Sequence, residues 1–167
     1  MRRLAVVLLA IVLVIGTSLS VSARHKDHVV KIVGDEKFIA NKLFSSTFRY
    51  APGSIRVKSG SPVSWVNETD APHTVTVVAD APDDFAELFF CREPGGECRA
   101  ALDAHFATGP PTFVVNVGEP GLDAPGDSLL ILEPGGSVTE VVSAPAGAVL
   151  EYLCAIHPWK QGSITVV

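Results

Sequence analysis

The chain has 167 residues, of which 47% are hydrophobic and 19% are charged, and its formal net charge is -5. This acidic balance, without a cluster of Lys and Arg, argues against a nucleic acid or an anionic membrane as the partner, because both are bound through clustered positive charge. The length suits one domain with a full hydrophobic core.

Residues 1–23 have the pattern of a secretory signal peptide. Two arginines precede an apolar run over residues 4–15, and small residues then lead to Ala23. The run is shorter than the roughly 20 apolar residues that span a bilayer, and no cysteine follows to carry a lipid. We therefore predict an exported protein, periplasmic or extracellular, whose residues 24–167 form one monomeric domain without stable membrane insertion.

Short segments rich in Val, Ile and Thr make up most of the remaining chain and are separated by Gly, Pro, Asn or Asp. They read HVVKIV, SIRVK, PVSWVN, HTVTVVA, SLLIL, SVTEVVSA, VLEYLC and GSITVV. Such segments are typical of an antiparallel sandwich or barrel. Alternation along each strand predicts which side chains enter the core, among them Val75 and Val77 of HTVTVVA and Leu130 and Leu132 of SLLIL.

The strand pattern lapses in an insertion over about residues 80–127. Within it we predict short helices around Asp83–Phe90 and Arg99–Phe106, and an additional strand at TFVVNVG. A segment of this length is either functional or has structure of its own. Cys91 and Cys98 flank REPGGE, whose Pro-Gly-Gly allows the chain to reverse, so a disulfide between them is expected in an exported protein.

The third cysteine, Cys154, lies in YLCAIHPW, where His157 follows across a short turn. Taken alone, an unpaired cysteine is as well explained as a small buried hydrophobe. A thiolate with imidazoles, however, suits copper or zinc, and one Cys with two His and a weak axial donor is typical of blue-copper electron-transfer sites. His73 stands immediately before a strand and offers a third donor at the same end of the sheet.

Two segments resemble the plastocyanin and amicyanin group of cupredoxins. They are APGSIRVKSGSPVSWVNETDAPHTVTV and LEPGGSVTEVVSAPAGAVLEYLCAIHPWKQGSITV, about half of the chain after residue 23. They carry the patterns Pro-x-x-Ile-x-Val, Val-x-Trp-x-Asn, Pro-His and Tyr-x-Cys-x-x-His-Pro. The resemblance implies an all-β, Greek-key cupredoxin-like sandwich, while the insertion is not accounted for.

The same resemblance implies one copper ion held by His73, Cys154 and His157, and the transfer of single electrons between redox protein partners. Asn67 would stiffen the loop that carries His73. His157 would be the electron route, and Pro158 and Trp159 would form an apolar rim for docking. Such a protein does no bond-making chemistry, and no nucleophile or phosphate-binding motif in the chain suggests an enzyme.

The sequence departs from the pattern at Lys160, where amicyanin-like proteins carry the axial methionine. Gln161 could supply an axial oxygen, the site could lack an axial protein ligand, or Lys160 could approach the metal after losing its proton. We expect Gln161 or no ligand, with Lys160 pointing to solvent.

Two other functions fit parts of the sequence. A copper storage or delivery protein would be consistent with the missing methionine and with His25 and His28 near the start of the exported chain. An adhesion or assembly sandwich would make Cys154 and the histidines incidental. His105, in the insertion, has no partner at ligand spacing, and we predict a surface or packing role for it.

Overall fold

The structure, a computed structural model, describes residues 28–167; the predicted signal peptide, residues 1–23, and His25 lie outside this range. Within residues 28–167 no helix is long and apolar enough to cross a lipid bilayer. The strands and helices, in chain order, are β1 His28–Val33, β2 Glu36–Ile39, β3 Leu43–Ser46, β4 Arg49–Ala51, β5 Ser54–Val57, β6 Ser61–Asn67, β7 His73–Val78, α1 Phe85–Phe90, α2 Glu97–Phe106, β8 Val114–Val115, β9 Ser128–Ile131, β10 Ser137–Val142, β11 Val149–Leu153 and β12 Gln161–Val166.

The strands form two main sheets and a separate hairpin. One sheet has the order β10-β6-β1-β4, the other has the order β5-β12-β11-β7-β9-β8, and β2 pairs only with β3. The expectation of purely antiparallel pairing is wrong for two pairs, because β1 runs parallel to β6 and β5 runs parallel to β12. Two parallel neighbours must be joined by a crossover connection, and here other strands lie between the two members of each pair in the sequence.

One hydrophobic core fills the space between the two main sheets. Val63 and Trp65 of β6 meet Val75 and Val77 of β7 and Tyr152 of β11 in a single buried cluster. Each such side chain stabilises the fold by about 1.5–3 kcal/mol relative to its exposed state. The predicted class, an all-β sandwich with a partly helical insertion, is confirmed.

The predicted orientation of β9 is wrong by one residue. Leu129 and Ile131 belong to the core cluster, whereas Leu130 points to the opposite face and Leu132 is only partly buried. All four residues of β9 are buried, so the strand carries no alternation of polar and apolar residues from which its orientation could be read.

The insertion contains α1 and α2 and covers the outer face of the six-stranded sheet. The predicted disulfide between Cys91 and Cys98 is confirmed and joins the two helices. Cys98 and Ala101 pack with Leu153 and Ala155 in a second buried cluster. The insertion therefore contacts the chain on both sides of Cys154.

Candidate metal centre

Three side chains that are distant in sequence meet at one end of the sandwich. The Cys154 Sγ lies 3.8 Å from His73 Nδ1 and 3.6 Å from His157 Nδ1. The three ligand atoms are all within 4.8 Å of one another, and all three residues are buried. The arrangement offers one sulfur and two imidazole nitrogens to a single ion.

The strand pairing explains why His73 and Cys154 are neighbours. His73 is the first residue of β7 and Cys154 follows the last residue of β11, and these two strands are antiparallel neighbours in the six-stranded sheet. The start of one strand and the end of the other therefore lie at the same edge.

Two successive turns bring His157 back to the same point. The backbone N–H of His157 donates to the Cys154 carbonyl at 3.0 Å, and that of Lys160 donates to the His157 carbonyl at 2.8 Å. The Cys154 N–H in turn donates to the Lys160 carbonyl at 3.0 Å. These hydrogen bonds close a compact loop that fixes the position of the second imidazole.

Asn67 holds the loop before His73, as the resemblance implies. Its side-chain Nδ2 donates to the carbonyls of Ala71 at 2.8 Å and Glu133 at 3.2 Å, and its Oδ1 accepts the Thr69 hydroxyl at 2.8 Å. The Thr69 Oγ1 lies 2.8 Å from His73 Nε2. Because the hydroxyl proton is used on Asn67, His73 Nε2–H must donate to Thr69, and the Nδ1 lone pair then faces Cys154.

Both imidazoles are held in the neutral form that binds metals. Burial lowers the pKa of His73 to about 3, with the charge of Lys160 and then His157 adding to the effect. Burial likewise lowers the pKa of His157 to about 4, assisted by Lys160 and Arg92. A positive charge on either ring is unfavourable there because little water can solvate it.

Lys160 lies inside the protein, so the expectation that it points to solvent is wrong. Only 1% of the residue is exposed, and its Nζ lies 4.6 Å from the centroid of the Tyr50 ring. Among residues 28–167 no group accepts a well-directed hydrogen bond from Nζ. Burial lowers the pKa of Lys160 to about 8, while its attraction to the Cys154 sulfur raises it in part.

Gln161 uses its side-chain amide elsewhere. Its Nε2 donates to the Pro82 carbonyl at 2.7 Å and, more weakly, to the Pro158 carbonyl at 3.3 Å. The first bond ties the ligand loop to the start of the insertion. An axial role for the Gln161 oxygen stays a prediction.

The β2–β3 hairpin lies against the outer side of the centre and was not anticipated from the sequence. Glu36 Oε2 lies 3.8 Å from His157 Nε2, and Trp159 Nε1 donates to Ser46 Oγ at 3.2 Å. Phe44 packs against Trp159 with ring centroids 6.0 Å apart. The signal for this hairpin is the FIANKLF segment, in which apolar pairs flank a turn containing Asn41 at a φ of 58°.

Phe48, also missed from the sequence, closes the centre from the side of the hairpin. Its ring centroid is 4.9 Å from that of His73 and 4.9 Å from that of His157. Pro158 is buried, whereas Trp159 is 37% exposed. Trp159 is therefore the more accessible of the two residues predicted to form a docking rim.

Within residues 28–167 the other two histidines, His28 and His105, lie apart from this group. His28 begins β1, and His105 is buried in α2, where Nδ1 contacts the Thr112 carbonyl and Nε2 lies 2.8 Å from Ser128 Oγ. The packing alternative for His105 is thus the one observed, although its partners are polar.

No protein-family model matches the sequence, and neither does any curated protein. Among solved structures, the chain is similar to a purple cupredoxin from Nitrosopumilus maritimus, with 18% identity, a TM-score of 0.44, and 84% of this chain and 100% of that chain covered. Dithionite-reduced auracyanin from Roseiflexus castenholzii has 20% identity and a TM-score of 0.48 over 84% of this chain and 96% of that chain. An oxidised methionine-to-lysine mutant of amicyanin has 17% identity and a TM-score of 0.45 over 84% of this chain and 82% of that chain.

Proposed function

We propose that this protein is an exported cupredoxin that binds one copper ion through His73, Cys154 and His157 and carries single electrons between redox proteins. One observation carries the proposal: a thiol sulfur and two imidazole Nδ1 atoms converge, buried, at one end of the sandwich. This is the donor set of blue-copper electron-transfer sites.

The surroundings of the three ligands support electron transfer rather than bond-making chemistry. Bound copper would supply a one-electron couple between its cuprous and cupric states. The protein holds the donors through backbone turns and through the contacts of Asn67 and Thr69, so they need not move when the charge of the site changes. Phe48 and the β2–β3 hairpin pack against the ligand rings and limit the approach of a substrate.

We further propose that Lys160, rather than Gln161, faces the fourth side of the ion. The Lys160 Nζ is buried beside Cys154 and lacks a directed hydrogen bond among the described residues, which marks it as a group available to the site. Its lowered pKa makes the neutral amine accessible when a cation displaces the proton. Gln161 instead holds the loop to Pro82.

The docking surface is proposed to lie around Trp159. Phe44 of the hairpin contacts the Trp159 ring on one side. On the other side Trp159 and Pro158 line a cavity of about 170 Å³ together with Phe85 and Phe89 of α1. Exposed aromatic side chains grouped in this way are typical of sites for transient protein contact.

Loading the purified protein with cupric ion, followed by visible absorption and electron paramagnetic resonance spectroscopy, tests the function. We expect an intense thiolate-to-copper absorption band that is absent from the Cys154→Ser variant. A colourless protein that retains no metal on dialysis would instead favour the adhesion or assembly alternative. Rapid loss of copper to a chelator would favour storage or delivery.

A further inference from the structure

The insertion buries a row of hydroxyl groups on the outer face of the six-stranded sheet. Thr74 and Thr76 alternate along β7 with the core residue Val75, and Ser128 of β9 lies opposite Thr76. All three hydroxyl-bearing residues are at most 1% exposed. Buried hydroxyls require partners, and here they find them in one another and in α2.

These groups form a continuous hydrogen-bonded chain. The Ala155 N–H donates to Thr74 Oγ1 at 2.7 Å, and Thr74 Oγ1 lies 3.0 Å from Thr76 Oγ1. Thr76 Oγ1 lies 2.8 Å from Ser128 Oγ, which lies 2.8 Å from His105 Nε2. This hydrogen-bonded chain thus runs from Ala155, the residue after Cys154, to His105 of the insertion.

The far end of the chain fixes its direction. His105 Nδ1 contacts the Thr112 carbonyl, which can only accept, so Nδ1 carries the proton and the neutral ring offers a lone pair at Nε2. Ser128 must then donate to His105, Thr76 to Ser128, and Thr74 to Thr76. The Thr74 oxygen is left to accept the Ala155 N–H, so every hydroxyl proton in the chain has an acceptor.

The near end of the hydrogen-bonded chain lies beside the Cys154 sulfur. The Thr74 backbone N–H donates to Cys154 Sγ at 3.3 Å, while the Thr74 hydroxyl holds the peptide group of Ala155. Thr74 and Ala155 are the residues that follow His73 and Cys154. The single residue Thr74 therefore joins the two ligand-bearing segments and directs a donor at the thiol.

We propose that His105 is a positioning residue for the metal centre, acting through Ser128, Thr76 and Thr74 on the peptide groups beside Cys154. This inference rests on the proposed copper function. It assigns the insertion a role: α2 supplies the acceptor that gives the hydroxyl chain a single direction. Hydrogen bonds to a ligand sulfur and their outer partners tune a metal site, so the effect reaches the copper without a contact to it.

The first test breaks the chain in the middle. The Thr76→Val variant keeps the shape of the side chain and removes its hydroxyl, whereas Thr76→Ser keeps the hydroxyl. The control is Thr139→Val on β10, which breaks the hydroxyl pair between Thr139 and Ser64 of β6, away from the hydrogen-bonded chain. In the copper-loaded protein we expect Thr76→Val to shift both the thiolate-to-copper band and the reduction potential. Thr76→Ser and Thr139→Val should coincide with the wild type. If Thr76→Val coincides as well, the proposal is wrong; should that variant not fold, Ser128→Ala breaks the same chain and takes its place.

The second test uses the metal-free protein, so it does not depend on copper binding. Nitrogen-15 NMR of the imidazoles should find His105 as the Nδ1–H tautomer, and the Ala155 amide should exchange faster in His105→Phe and Thr76→Val than in Thr76→Ser. An Nε2–H tautomer, or equal exchange in all variants, would overturn the proposal. Absence of the thiolate-to-copper band in the wild type, with the NMR results as expected, would instead refute the copper function and leave the hydrogen-bond chain established.

Discussion

At the scale of single residues, the centre combines a thiol, two neutral imidazoles and a buried amine. A lysine with 1% exposure is unusual because burial penalises its charged form, and here the Tyr50 ring and Cys154 partly offset that penalty. Leaving such a group without a directed hydrogen bond costs stability, about 1–3 kcal/mol or more for a charged group. This cost fits the proposal that Lys160 faces the metal site.

The Lys160→Met variant tests which residue faces the fourth side of the ion. Methionine has a similar length and brings a thioether, so we expect Lys160→Met to shift the thiolate-to-copper band and the shape of the electron paramagnetic resonance spectrum. The matched variant Gln161→Ala should leave both unchanged. A spectrum that responds to Gln161→Ala and not to Lys160→Met would show that Gln161 is the axial ligand.

The lowered histidine pKa values predict how the stability of the metal-free protein depends on pH. His73 and His157 have folded-state pKa values of about 3 and about 4, below the unfolded value of about 6.5, so the unfolded chain binds more protons between these limits. The free energy of unfolding is therefore highest above pH 6.5 and falls as the pH decreases towards 4. Each of these histidines contributes a slope of up to about 1.4 kcal/mol per pH unit.

Chemical denaturation between pH 6.5 and pH 5 measures this slope before most carboxylates titrate. The His157→Asn variant should show a slope that is smaller by about one histidine's contribution. A wild-type stability that does not change over this range would contradict the burial of neutral imidazoles at the centre.

At the scale of elements, the hairpin and the insertion distinguish this chain from a plain sandwich. Gly34 fixes the base of the hairpin, because its φ of 112° and its close approach to the Thr47 carbonyl leave no room for a side chain. Hydrogen bonds between Asp35 and Thr47 hold the same point. The insertion packs α2 against residues on both sides of Cys154. Both elements thus act on the ligand loop, one from its outer side and one from the sheet face.

Removal of the disulfide should loosen the insertion. Because Cys98 is fully buried, the double variant Cys91→Ala and Cys98→Ala keeps the site apolar while it removes the cross-link. For a loop this short we expect the free energy of unfolding to fall by about 2 kcal/mol and the amides of α2 to exchange faster. A denaturation midpoint equal to that of the oxidised wild type, with unchanged exchange in α2, would show that packing alone holds the insertion.

At the scale of the whole molecule, the sequence predicted the sandwich and the meeting of His73, Cys154 and His157. Strand alternation and the Cys-x-x-His spacing depend on residues that are near one another in the sequence, so both can be read before the fold is known. The direction of Lys160 was missed because a long side chain can reach either solvent or the interior from the same backbone position. The orientation of β9 was missed because the core buries one of its faces and the insertion covers the other, and no local pattern reports what a distant segment covers.

The exposed aromatic surface predicts where two molecules meet during electron exchange. Phe85 and Phe89 are 82% and 59% exposed, so replacing both with Ser should leave stability, the copper spectrum and the reduction potential unchanged. We expect electron self-exchange between reduced and oxidised copies, measured by NMR line broadening, to slow several-fold because contact area is lost. The control Phe113→Ser removes a ring that is 53% exposed, from the segment of the insertion just before β8. Equal rates in all three proteins would rule out the α1 surface as the contact.

X-ray absorption spectroscopy at the copper edge of the loaded wild-type protein tests the central claim most directly. We predict that copper has one short sulfur neighbour and two imidazole nitrogens, and that the sulfur contribution disappears in Cys154→Ser. A spectrum fitted by nitrogen and oxygen neighbours alone, identical in the two proteins, would contradict the assignment of His73, Cys154 and His157 as the copper ligands.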